Sequence, residues 1–129
     1  MVKEINIYDK VKGENYIISL GELIKRLEQI DASLMNGQWK IENGAYGYGD
    51  FICSIEESLK DGDSYLIDGK KIFSVLKSEE EYFYHVIMKR VDLDFEIGLF
   101  DSTYIFVRSN DDKVIEQIRK LFNEVKVIE

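Results

Sequence analysis

Proline is absent from the 129 residues, and cysteine, histidine and tryptophan occur once each. With no proline, no internal repeat, no low-complexity tract and no shift in composition, nothing along the chain marks a second domain. The lone thiol, Cys53, excludes an internal disulfide and a cysteine-cluster metal site. Every apolar run is far shorter than the roughly 20 residues a helix needs to span a bilayer. The opening MVKEINIYDK is charged and has no apolar h-region, so it does not read as a secretory signal. These absences lead to the expectation of one soluble, cytoplasmic domain with no membrane contact and no cofactor.

Apolar residues make up 45% of the chain, enough for a core, and charged residues 33%, enough for a well-solvated surface. The net charge of −8 is unevenly spread. Residues 1–40 carry six acids and six bases, whereas 41–112 carry sixteen acids against seven bases, a balance of −9. Residues 113–129 add three acids and four bases. An acidic middle repels nucleic acid, which is bound by Lys and Arg neutralising phosphates. It attracts a basic partner and speeds encounter with it. Solubility alone is the plainer use of the same charge.

Alternation in VKEINIY predicts a first strand with Val2, Ile5 and Ile7 inward. YIIS either extends a second strand or leads into a helix that starts at Ser19, with Glu22 completing a capping box. Leu20, Leu23, Ile24, Leu27 and Ile30 form that helix's inner stripe, and Asn36-Gly37 ends it. QWKIE reads as a strand. Asp50 is placed to cap a second helix with Phe51, Ile52, Ile55 and Leu59 inward. DGDSYLIDGKKIFSVLK reads as a hairpin turning at Asp68-Gly69. EYFYHVIMKRV and LDFEIGLF read as strands, the latter with Leu93, Phe95, Ile97 and Leu99 on one face, and Asp101-Ser102 turns the chain into TYIFVRS. A third helix over 111–122, capped near Ser109 or Asn110, and a closing strand VKVIE complete the chain. The expected fold is a single α+β domain over 1–129: a meandering antiparallel sheet centred on the strands from Ser64 to Ser109, with about three helices mainly on one face.

No catalytic residue and no metal ligand is assigned. The glycines of GAYGYGD (44–50) precede a helix, as in phosphate-binding loops, but no Lys, Arg or helix-start Ser/Thr stands beside them and Asp50 already occupies the helix's positive end. Tyr46 and Tyr48 are then either an exposed aromatic contact or a connection packed on the sheet edge. His85, in mid-strand, has no nucleophile placed near it and reads as structural. Cys53 lies beside the second helix's stripe, has no basic neighbour, and reads as a small core residue. Asp92, Asp94 and Glu96, two apart, would share one strand face. Such a ladder could meet a basic partner, face solvent, or contribute to a divalent-cation site, although side chains about 7 Å apart on one strand rarely complete one. Glu79, Glu80 and Glu81 beside Tyr82 and Tyr84 offer the same mixture of acid and aromatic, or a charged loop entering a strand.

The acidic middle and the unit LDFEIGLFDSTYIFVRSNDDKVIEQIRKLFNEVKVI resemble small bacterial immunity proteins of polymorphic toxin systems, including contact-dependent inhibition systems. The resemblance covers the last third of the chain best and rests on its strand–turn–strand–helix–strand pattern. It implies a cytosolic protein, monomeric or weakly dimeric, that binds and neutralises a cognate toxin domain, often a basic nuclease. It transfers no catalytic residue. Two other classes stand beside it: a structural or regulatory subunit that pairs exposed strand edges into a homodimer, and a metal-dependent enzyme using Asp92, Asp94 and Glu96 with His85.

Overall fold

A computed structural model describes residues 3–128. Eight strands form one antiparallel sheet: β1 (Lys3–Ile7), β2 (Gln38–Glu42), β3 (Tyr46–Tyr48), β4 (Ser64–Asp68), β5 (Tyr82–Arg90), β6 (Phe95–Phe100), β7 (Tyr104–Ser109) and β8 (Val125–Ile128). Their order is β4-β2-β5-β6-β7-β1-β8, with β3 pairing the first half of β5. Four α-helices accompany them: α1 (Leu20–Ile30), α2 (Asp50–Leu59), α3 (Gly69–Ser78) and α4 (Asp112–Arg119). The expected α+β domain is present, with four helices where about three were expected.

Alternate residues of β1, β2, β6 and β7 and of the second half of β5 point into a single core. Ile5 and Ile7, Trp39 and Ile41, Val86 and Met88, Phe95 and Ile97, and Ile105 and Val107 join the buried stripes of all four helices in one cluster. The helices therefore cover one face of the sheet. At its centre lies the fully buried Trp39, whose Nε1–H donates to Met35 O at 2.9 Å and whose ring meets Phe73 and Phe95 edge-on.

Local signals explain most elements. Ser19 Oγ accepts from Glu22 N, as a helix cap should. The same hydroxyl donates to Glu79, which tethers the start of α1 to the end of α3. α1 stops at Ile30, short of Asn36-Gly37, because Asp31 caps a separate 3₁₀ turn over Ala32–Leu34. α4 is capped by Asp111, just past the expected Ser109 or Asn110, and ends at Arg119. Ile17 makes only an isolated bridge to Lys10, and Val2 lies outside the described residues.

Three expectations need correction. Asp68-Gly69 is not a hairpin turn: Asp68 accepts from Lys70 N and caps α3, whose residues Ile72, Phe73 and Leu76 are buried at helical spacing. The strand before it, β4, is accordingly an edge strand and not part of the sheet's centre. Asp50 is not the cap of α2 but its first residue. Gly49, at φ 118°, is the cap position, and the amides of Phe51 and Ile52 are taken by Glu81 Oε1 at 2.8 and 3.1 Å. A side chain at 49 would run into Glu81, so the glycine serves both the backbone angle and this close approach.

Candidate interaction face

The sheet face turned away from the helices carries three cross-strand rows. The first is charged. Lys40 stands opposite Lys89, Lys89 opposite Glu96, Glu96 opposite Arg108 and Arg108 opposite Glu4. Glu42 lies within 4 Å of both lysines and Arg108 pairs with Glu96 at 3.6 Å, so the charges largely satisfy one another. Glu96 is nevertheless only 14% exposed, and burial holds its carboxyl above the ordinary Glu range despite Lys89 and Arg108.

The second row runs Ile87, Gly98, Phe106, Asn6 and Lys126. The Phe106 ring lies over Gly98, where any side chain would collide with it. Phe106 is buried yet stands apart from the main core, on the other side of the sheet. Asn6 is 7% exposed, and among the described residues none donates to its Oδ1.

The third row is aromatic. Ring contacts run from Tyr46 to His85, Phe100, Tyr104 and Tyr8, with centroids 6.2, 5.3, 5.5 and 5.5 Å apart. From Tyr46 the chain of rings continues through Tyr84 and Tyr82 to Tyr48, at 5.8, 5.6 and 5.4 Å. The short β3 makes this extension possible. Gly47 sits so close to the backbone of Tyr82 and Phe83 that a Cβ there would clash, and its amide is taken by Glu56 Oε1 at 3.0 Å. Tyr46 and Tyr48 are thereby turned onto the open face, stacked on His85 and Tyr82 of β5 and still 43% and 57% exposed.

Asp101 organises the middle of the row. With Ser102 it adopts positive φ, 50° and 59°, in the tight turn between β6 and β7. Its backbone N–H donates to His85 Nδ1 at 3.2 Å, and its carboxylate accepts from the Tyr46 hydroxyl. That hydrogen bond, with some desolvation and the nearby negative charge, holds the Tyr46 phenol above its ordinary range. His85 is thus a hydrogen-bond acceptor stacked on Tyr46 and edge-on to Phe100.

The residues singled out in the sequence separate into groups. Tyr46, Tyr48 and Tyr82 meet in the aromatic row, and Glu80 lies beside Tyr48 in a shallow cleft with Glu81 and Asp50. Glu79, at φ 60°, ends α3 and binds Ser19 and Lys25. Asp92, Asp94 and Glu96 do not form a ladder: β6 begins at Phe95, Asp92 is drawn to Arg90 at 2.8 Å, and Asp94 stays in the turn. Leu93, expected inward, is 47% exposed for the same reason. Cys53 is exposed and not a core residue; desolvation and the carboxylates of Glu56 and Asp50 keep its thiol above the usual range, away from the reactive thiolate. Among the described residues, no three His, Cys, Asp or Glu side chains form a group that could hold a metal ion. No helix there is long and apolar enough to cross a membrane. Tyr8, Phe100, Tyr104, Asn6 and Asp101 were missed because strand register alone brings them together.

A second feature adjoins the row. A cleft of about 450 Å³ opens between the loop before α1, the end of α3 and the start of β5, lined by Val11, Ile17, Leu20, Leu76, Tyr82 and Tyr84 among others. Comparison with protein-family models, curated proteins and solved structures gave no match to this chain.

Proposed function

We propose that this chain is an immunity-type binding protein, which docks a basic toxin domain on its open sheet face and thereby neutralises it. The observation that carries the reading is the uninterrupted row of eight rings on a face that no helix covers. Tyrosines held by their neighbours offer large contact area with little loss of side-chain entropy on binding. The acidic balance of residues 41–112 supplies steering toward a basic surface. Resemblance of the C-terminal third to immunity proteins supplies the kind of partner.

The test is capture of the tagged protein's partner from its host with any neighbouring toxin gene expressed, followed by titration of that purified partner. A basic protein bound one to one, with affinity falling as salt rises and at least about tenfold lower for Tyr84→Ala, supports the reading; that loss is the scale of an interface hot spot. No partner under those conditions, or one indifferent to Tyr84→Ala and to salt, overturns it.

A further inference from the structure

We infer that the partner's anchor on this face is an arginine side chain, laid on the rings of Tyr46, Tyr84 and Phe100 with Asp101 as its counter-ion. The inference rests on the binding reading above and narrows its chemistry. Nine of the 25 acids stand within 4 Å of a base, among them Glu22 with Arg26, Glu28 with Lys77, Glu96 with Arg108 and Glu116 with Arg119. The acids around the aromatic row are not among the nine. Among the described residues no Lys or Arg pairs with Asp101, Asp50, Glu80 or Glu81.

Asp101 is the best placed of these. The Tyr46 hydroxyl and the turn hold its carboxylate in position, and its backbone is pinned by His85. Ser102 N bonds to Tyr84 O at 2.8 Å, so the Tyr84 ring, the Tyr46 ring and this carboxylate stand at one corner of the sheet. A cation above these rings meets π-faces and a carboxylate at once. The planar, weakly hydrated guanidinium suits that environment better than an ammonium.

The experiment compares octa-arginine with octa-lysine by calorimetry at low ionic strength on the whole protein. Octa-arginine is expected to bind about tenfold more tightly. Asp101→Asn, in which Asn tolerates the left-handed angle, should remove most of that preference while circular dichroism stays unchanged. Asp94→Asn removes equal charge away from the rings and should leave the preference intact. Equal affinities for the two peptides, or equal losses in the two variants, overturn the inference. A cognate partner that is sensitive to Tyr84→Ala but indifferent to Asp101→Asn would overturn this inference while the binding reading stands.

Discussion

At the scale of single residues, burial and charge compete most visibly at Glu96. Its carboxyl is raised because the sheet desolvates it more than Lys89 and Arg108 support its charge. In the unfolded chain the group ionises at its ordinary value, and in the fold only at higher pH. Its contribution to stability is therefore fully present below the unfolded value and lost as pH rises through the folded one. Glu96→Gln has no such loss. The variant should gain on the wild type as denaturation is followed from pH 4 to pH 7; the opposite trend would show that the ion pair with Arg108 outweighs burial. Glu96 itself was readable as an exposed-face residue from its alternation with Phe95 and Ile97. Its company was not, because Arg108 and Lys89 reach it through strand pairing, and Asp92 and Asp94 leave it for a turn.

At the scale of elements, local chemistry was legible wherever cap and stripe lie in one stretch of chain. Ser19 with Leu20, Leu23, Ile24 and Leu27 is such a case. Asp68-Gly69 shows where that logic forks, since the same dipeptide suits a hairpin turn and a helix start. The deciding signal was present downstream, in the three- and four-residue spacing of Ile72, Phe73 and Leu76. The cap of α2 could not be read locally at all, because Glu81 lies 30 residues from Phe51. Glu81→Ala should destabilise the protein by about 1–2 kcal/mol, the cost of two freed helix amides, and Glu81→Gln by less. Urea denaturation measures both. A neutral Glu81→Ala would mean that water replaces the carboxylate at no loss.

At the scale of the whole molecule, one continuous core joins all four helices to the sheet. Trp39 reports on the β2 side, whereas α4 packs on β1 and β7 at the other. A single core predicts that tryptophan fluorescence and far-ultraviolet circular dichroism follow one urea transition. Separate midpoints would divide the sheet into two cooperative units. The aromatic face belongs to this scale, which is why single-strand patterns missed it. Its rings come from β3, β5, β6 and β7 and from Tyr8 just past β1, and only their register sets them in line.

The place of β1 has a consequence for synthesis. Ile5 pairs with Val107 on one side and Val127 on the other, so β1 is enclosed by two strands that are translated roughly 100 residues after it. At about 5–20 residues per second that interval is on the order of 10 s. Through it Ile5 and Ile7 travel as unpaired, β-prone chain, open to whatever chaperone reaches them first. Closure of the sheet around β1 waits for β7 and β8, and any pause in translation between them prolongs its exposure.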